Sequence, residues 1–221
     1  MTDRRDGEAG RKPACCDHER DYTRTVSSVT KTRLEAFSDG VIAILITIMV
    51  LELRVPHETG WEALAPLLPI FLTYALSFVY LGIYWNNHHH MFHLVDRVNG
   101  AILWANLHLL FWLSLVPFVT GWMGENHFAA VPTAVYGVVM LLAAIAYYVL
   151  QRTIIRHQGA HSKLASAVGT RDVKGRMSPL LYAAAIPLSF VNEWIADALY
   201  VAVALIWLVP DRRIEKAIAD R

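Results

Sequence analysis

The side chains of this sequence that could carry chemistry include a dense group of histidines. His88, His89 and His90 are consecutive, and His93 follows three residues later. On a helix His89 and His93 lie one turn apart on the same face, where two imidazoles can bind a transition metal ion. Adjacent helical residues point about 100° apart, so the triplet cannot converge on one ion. The pattern favours histidines that hydrogen-bond neighbouring helices. It leaves open a metal or proton transporter, since histidine titrates near neutral pH.

A second set of polar residues lies at the start of the stretch RLEAFSDGVIAILITIMVLEL, residues 33–53. Beyond Gly40 the run 41–51 is uncharged, and Thr47 is its only polar side chain. An acid carried into a membrane normally finds a partner there, so we expect Asp39 to have a structural role. Further polar groups are Asn106 with His108, and Asn192 with Glu193 and Asp197. The candidate partners of Asp39 are Arg33, His88, His89 and Asn106.

Composition and motifs argue against an enzyme or a nucleic-acid-binding protein. The 20 Lys and Arg are balanced by 19 Asp and Glu, which gives a net charge of +1 and no basic surface by composition. The sequence contains no G-x-S-x-G, P-loop, dinucleotide or H-E-x-x-H pattern. We therefore expect no enzymatic activity, no cofactor, no bound metal and no nucleic-acid partner.

The elements that position these groups are long apolar helices. Residues 64–85, 101–122 and 128–150 contain no charged side chain, and about 20 apolar residues suffice to cross a bilayer. Residues 34–53 form a fourth stretch of suitable length with a polar beginning. A soluble helical protein would instead have amphipathic helices with charged faces. The sequence therefore predicts an all-α, polytopic membrane protein.

The last apolar region, 179–209, is interrupted by polar residues at 192–197. Eight Lys or Arg precede residue 34, six lie within 151–177 and four follow residue 210, whereas 122–128 has none. The positive-inside rule places the three basic segments in the cytoplasm, so the last region must be a hairpin. The sequence thus predicts six transmembrane helices with both termini cytoplasmic. The predicted segments are a disordered tail (1–31), a six-helix membrane domain (32–210) and a C-terminal tail (211–221).

One face of the predicted first helix is apolar along its length. Ile44, Thr47, Ile48 and Leu51 recur at i, i+3, i+4 and i+7, and Ser38 and Asp39 turn away from them. Ordinary helix packing would give the same periodicity, so spacing alone does not assign a function. We call this face the first-helix stripe; its residues are Phe37, Gly40, Ile44, Thr47, Ile48 and Leu51.

The order of these motifs resembles the transmembrane-protein-175 potassium channel family. Arg33-x-x-x-Phe37-Ser38-Asp39-Gly40 resembles the start of that family's first helix. The resemblance covers about residues 31–215, and the single set of six helices looks like the prokaryotic branch, whose members are homotetramers. The agreement continues through Trp85 with His88 and His89, Asn106 with Pro117, Phe118 and Thr120, and Tyr200 and Trp207 ahead of residues 210–215.

The resemblance implies a leak-type, potassium-permeable channel of the cell membrane, with helix one lining a central pore. By motif offset Ile44 is the narrow hydrophobic gate, Ile48 and Leu51 form further aliphatic rings, and Thr47 supplies the hydroxyls for selectivity. No TVGYG carbonyl filter is present, so selectivity should be modest. The partners implied are other copies of the chain, membrane lipids and potassium ions. The structural network implied is Arg33, Phe37, Ser38, Asp39, Gly40, His88, His89 and Asn106.

Overall fold

The fold is a set of helices, with no strand in the part of the chain that is described. The structure is a computed structural model and describes residues 15–159, 162–168 and 173–208. Short 3-10 segments follow the first helix (Met49–Glu52) and precede the second (Trp61–Leu67). In chain order the helices are α1 (Cys15–Ile48), α2 (Leu68–His93), α3 (Gly100–Ser114), α4 (Val116–Glu125), α5 (Ala130–Gln158), α6 (Lys163–Val168), α7 (Val173–Leu188) and α8 (Glu193–Leu208).

Four helical segments of the described chain are long and apolar enough to cross a membrane. They are Lys31–Glu52, Trp61–His93, Gly100–Glu125 and Ala130–Gln158. Each contains or closely overlaps one of the four stretches predicted from sequence, because uncharged runs of this length can satisfy their backbone groups in lipid only as helices. The all-helical class and the membrane character of the chain are therefore confirmed.

The last apolar region consists of two helices rather than one. α7 and α8 have 16 residues each and pack against each other and against α5. The turn between them comprises residues 189–192, and the side chain of Asn192 accepts a hydrogen bond from the Trp194 amide (3.0 Å) at the start of α8. The polar interruption seen in the sequence thus becomes the turn and the first residues of α8.

The third predicted span is divided into α3 and α4 near Pro117. Proline has no amide hydrogen and cannot continue the hydrogen-bond ladder of a helix. Pro117 lies in the first turn of α4, where that missing donor costs nothing. The break brings the Thr120 hydroxyl within 2.7 Å of the Ser77 hydroxyl, which also lies 3.1 Å from the Tyr136 hydroxyl. This buried cluster joins α2, α4 and α5.

The beginning of α1 differs from the sequence prediction. A disordered tail is predicted up to residue 31, whereas α1 begins at Cys15. The segment 14–35 contains no glycine or proline, and extending an existing helix costs far less than nucleating a new one. Residues 1–14 and 209–221 lie outside the described residues, as does the predicted tail 211–221.

Gly124 allows α4 to lie close to α2, and replacing it should destabilise the fold. A Cβ atom at Gly124 would lie 2.8 Å from the Cα of Ile70 and 2.6 Å from the Thr73 hydroxyl oxygen. We expect Gly124→Ala to lower the stability of the purified protein by about 1–3 kcal/mol, because the backbones must separate. Gly82→Ala is the matched control, since a Cβ there meets nothing within 4 Å. Thermal unfolding in detergent should show a loss only for Gly124→Ala; equal melting temperatures would contradict the close-packing role.

Candidate functional site

α1 and the 3-10 segment Met49–Glu52 that follows it have one face packed into the chain and an opposite face without cover. The first-helix stripe is the uncovered face: Ile44 is 62% exposed, Ile48 46% and Leu51 75%. Phe37, Gly40 and Thr47 are exposed as well. The stripe therefore makes little contact within its own described chain, and ordinary packing inside one subunit does not account for it. The packed face consists of Leu34, Ser38, Ile42, Leu45 and Met49.

Thr47 is the one hydroxyl-bearing residue of the stripe. Its hydroxyl oxygen lies 3.1 Å from the carbonyl oxygen of Ala43 and 3.0 Å from that of Ile44, in donor geometry toward both. A hydroxyl has a single hydrogen, which these backbone carbonyls occupy. What the side chain offers outward is therefore the acceptor capacity of its oxygen, which suits a cation.

Behind the stripe, a buried hydrogen-bonded chain joins α1, α3 and α2. The Asn106 amide donates to the Ser38 hydroxyl oxygen (2.9 Å), and Ser38 donates to the carbonyl of Leu34 (2.9 Å). The amide oxygen of Asn106 lies 2.8 Å from Nε2 of His88. Because that oxygen only accepts, Nε2 of His88 carries the hydrogen. Ser38 and Asn106 are 0% exposed and His88 is 1% exposed, so the chain of bonds holds three helices together away from solvent.

Asp39 bonds to a partner that the sequence did not single out. Its carboxylate accepts a hydrogen bond from the indole nitrogen of Trp85 (3.1 Å). The Trp85 ring stacks on His89, with centroids 6.1 Å apart. Among the hydrogen bonds of the described residues, none joins Asp39 to the four predicted partners. The hydrogen-bond partner of Asp39 is therefore Trp85, which stands in the Trp85-x-x-His88-His89 motif.

The eight residues predicted as one network thus occupy three different environments. Asn106 bonds directly to both Ser38 and His88, as described above. Asp39 and His89 meet around Trp85. Arg33 and Phe37 are exposed, and a Cβ at Gly40 would meet nothing within 4 Å in this chain.

The remaining histidines are dispersed. His89 and His93 stack with ring centroids 6.3 Å apart, and His108 on α3 accepts a hydrogen bond from the Trp112 indole (2.9 Å). Within the described ranges, no three His, Cys, Asp or Glu side chains are arranged to bind a metal ion. His89, His93 and His108 therefore contact aromatic side chains.

Beyond the 3-10 segment that follows α1, an ion pair that the sequence does not signal joins the chain to α4. Arg54 donates to the Glu125 carboxylate (2.6 Å), and Glu52 lies against Gly121. Both partners of the ion pair are exposed, so its contribution to stability is small, about 0.2–1 kcal/mol. Its geometric effect is to fix the end of the stripe beside α4.

Comparison with known proteins places the chain in a family. A family model described as the endosomal/lysosomal potassium channel TMEM175 matches residues 33–117. A Chryseobacterium protein named as a potassium channel is 56% identical over 192 residues, which is 87% of this chain and 100% of the relative. The chain belongs to the TMEM175 family. The TMEM175 match includes the whole first-helix stripe and the Ser38–Asn106–His88 bonds.

More distant members of the TMEM175 family are also similar to this chain. A Streptomyces collinus protein named as a potassium channel is 34% identical, over 78% of this chain and 89% of its own length. A crystal structure described as a lysosomal potassium-selective channel TMEM175 homolog from Chamaesiphon minutus superposes with a TM-score of 0.70 at 32% identity. That superposition covers 83% of this chain and 98% of the other. Human TMEM175, named an endosomal/lysosomal proton channel, is 27% identical over 79% of this chain and 38% of its own length.

Proposed function

We propose that this chain is the subunit of a leak-type, potassium-permeable channel of the cell membrane. The observation that carries the proposal is the first-helix stripe, a row of bulky apolar side chains left uncovered opposite a fully packed face. Bacterial relatives named as potassium channels, and the potassium-selective homolog whose fold it shares, support potassium as the ion. The proposal requires no enzymatic step and no cofactor besides the permeant ion.

The channel is a homotetramer in which four copies of α1 surround the axis. One stripe cannot enclose a pore, whereas closed rotational symmetry turns it into a continuous lining. Both termini are cytoplasmic, and α7 and α8 complete six crossings within the domain 32–210. A helix of 16 residues spans about 24 Å at 1.5 Å per residue. This is shorter than the hydrocarbon core, so the bilayer thins around the hairpin.

The gate is a constriction of aliphatic side chains. Four Ile44 residues form its narrowest ring, and Ile48 and Leu51 form further rings along the same stripe. A narrow apolar neck expels water, and an ion cannot enter it without losing hydration. Opening requires the ring to widen enough to be wetted. Such a gate needs no TVGYG filter, and the sequence has none.

Thr47 next to the gate is the residue proposed to favour potassium. Its oxygen retains acceptor capacity because its hydrogen is bonded to the α1 backbone. Potassium sheds its water more readily than sodium, so a ring of such oxygens favours it modestly. We expect Thr47→Ala to shift the reversal potential under potassium/sodium gradients toward non-selectivity, with about a two- to fivefold loss of the permeability ratio, less than 1 kcal/mol. Thr47→Ser keeps the hydroxyl and should retain the ratio. Identical reversal potentials for all three proteins would remove Thr47 from the account.

Ion flux into proteoliposomes tests the proposed function directly. Purified protein is reconstituted into vesicles, and uptake of potassium and of sodium is measured under an imposed voltage. We expect potassium uptake to be faster in these vesicles than in protein-free vesicles. In the same vesicles, sodium uptake should be slower than potassium uptake. Absence of flux at every voltage and pH would rule out the channel and favour a membrane scaffold.

A second candidate, permeation of protons, is favoured by the names of the vertebrate relatives. It differs from the histidine-dependent metal or proton transporter considered from the sequence, which would require His89 and His93. A pH-sensitive dye in the same vesicles measures proton uptake in parallel with potassium uptake. We expect His89→Ala and His93→Ala to leave potassium uptake in place. Saturable uptake of a metal ion or protons that vanishes in both variants would favour the transporter.

A further inference from the structure

A pocket that the proposed pore does not use lies between α2, α5, α7 and α8. One end is lined by Tyr80, Ala144 and Tyr182, and the other by Asn87 and Gln151 together with Gly175 and Trp207. The two ends are about 10 Å apart along the helices, which is the rise from Tyr80 to Asn87 on α2 and from Ala144 to Gln151 on α5. In the proposed orientation, the second end faces the cytoplasm, since it lies toward the basic segment between α5 and α7.

The walls of the pocket are mainly aromatic, and most of their polar groups are already bonded. The Trp207 indole donates to the Ser178 hydroxyl (2.6 Å), and the Tyr147 hydroxyl donates to the carbonyl of Asn87 (3.3 Å). Tyr84 packs edge-on against Tyr147, with ring centroids 6.2 Å apart. The inner part of the pocket is therefore apolar, and its cavity volume of about 50 Å³ admits only the end of a hydrocarbon chain.

Gln151 is the exception among the wall residues. It is only 8% exposed and lines the pocket, yet within the described chain no hydrogen bond reaches its amide. At a largely aromatic wall, Gln151 therefore offers its amide to a polar group of a bound molecule. Its amide can both donate and accept, which suits the ester and glycerol oxygens of a lipid.

Basic side chains stand at the same end of the pocket. Arg152 donates from Nε to the hydroxyl of Tyr148 (2.9 Å), a pocket residue, and its guanidinium carbon lies 5.0 Å from the Tyr148 ring centroid. That contact holds the planar guanidinium, a good ligand for phosphate, beside the pocket. Lys174 and Arg176 flank the lining residue Gly175.

We propose that this pocket binds an anionic phospholipid of the cytoplasmic leaflet. The end of one acyl chain lies between the aromatic walls, the amide of Gln151 bonds to the glycerol-ester region, and Arg152 binds the phosphate with Lys174 and Arg176 nearby. Basic pockets between helices at the cytoplasmic face are typical of such lipids. The inference rests on the proposed membrane orientation and is independent of which ion passes.

Native mass spectrometry of the detergent-purified full chain tests the site. Delipidated protein is titrated with phosphatidylglycerol or with phosphatidylcholine of the same acyl chains. We expect phosphatidylglycerol to bind at least about tenfold more tightly, and Arg152→Ala or Gln151→Leu to weaken it about tenfold. Arg97→Ala is the matched control, because it removes an exposed charge between α2 and α3 that is not part of the pocket. Arg152→Lys should retain partial binding if the charge matters.

Three results would overturn the proposal. Equal binding of the two lipids, or equal losses in Arg152→Ala and Arg97→Ala, would show that no specific anionic site exists. Unchanged binding in Ala144→Phe, which fills the apolar end, would show that no acyl chain enters. Displacement of the lipid by glycerol phosphate at equal concentration would identify a site for the headgroup alone. Potassium flux in the same preparations reports separately on the channel, so the two proposals can fail independently.

Discussion

Replacing Ile44 by asparagine is expected to produce a large increase in potassium current. The substitution places four amides at the proposed constriction, where they bind water and remove the barrier created by dewetting. An increase of about tenfold or more corresponds to a barrier lowered by about 1.4 kcal/mol. Single-channel or macroscopic currents in reconstituted bilayers, normalised to the amount of assembled protein, provide the measurement.

Ile46→Asn is the matched control for this change. Ile46 lies on the same helix but on another face, where it packs partly against the core. The Ile46→Asn substitution introduces the same amide away from the stripe, so current per assembled channel should remain at the wild-type level. Equal effects of the two variants would place the gate elsewhere. Unchanged conductance in Ile44→Asn would also place the gate elsewhere.

Replacing Asn106 by leucine is expected to lower the stability of the protein substantially. The substitution leaves the Nε2 hydrogen of His88 buried without an acceptor and removes the donor to Ser38. A buried polar group that loses its partner costs about 1–3 kcal/mol. The apparent melting temperature and the yield of assembled protein should both fall, while the selectivity of the channels that do assemble should be unchanged.

Two further variants decide whether the buried bonds explain the loss. Asn126→Leu makes the same substitution at an exposed asparagine and should have little effect. The double variant His88→Phe with Asn106→Leu removes both bonding partners, so its cost should be smaller than the sum of the two single costs. Strict additivity would show that the two side chains do not depend on each other. Normal assembly with altered selectivity in Asn106→Leu would instead place Asn106 in the conduction path.

Much of the architecture could be predicted because it depends on residues close together in sequence. The uncharged run 128–150 predicts a helix since only a helix satisfies the backbone in lipid, and α5 is that helix. The polar interruption at 192–197 together with the distribution of Lys and Arg predicts a hairpin, and α7 and α8 are two helices joined by a turn at that place. Prediction was weaker at the start of α1, where a polar composition predicts disorder but an existing helix can extend. It was also weaker at Pro117, where one predicted span became two helices.

The candidate site was only partly predictable. The spacing of Ile44, Thr47, Ile48 and Leu51 defined one face, and motif resemblance grouped Ser38, His88 and Asn106. Spacing could not say whether that face is covered by another helix of the same chain. It also could not select Trp85 over His88 or Asn106 as the partner of Asp39, because indole, imidazole and amide can all donate to a carboxylate.

The sequence by itself determined the membrane class, the approximate positions of the apolar helices, the likeness to one channel family and the existence of the first-helix stripe. These follow from composition and from the fixed period of a helix, which are local properties. Only the tertiary structure decided that the stripe is uncovered, that Asp39 bonds Trp85, that Arg54 meets Glu125 and that Gln151 lines a pocket. Each of these depends on how helices distant in sequence approach one another, and the spacing of residues along one helix does not contain that information.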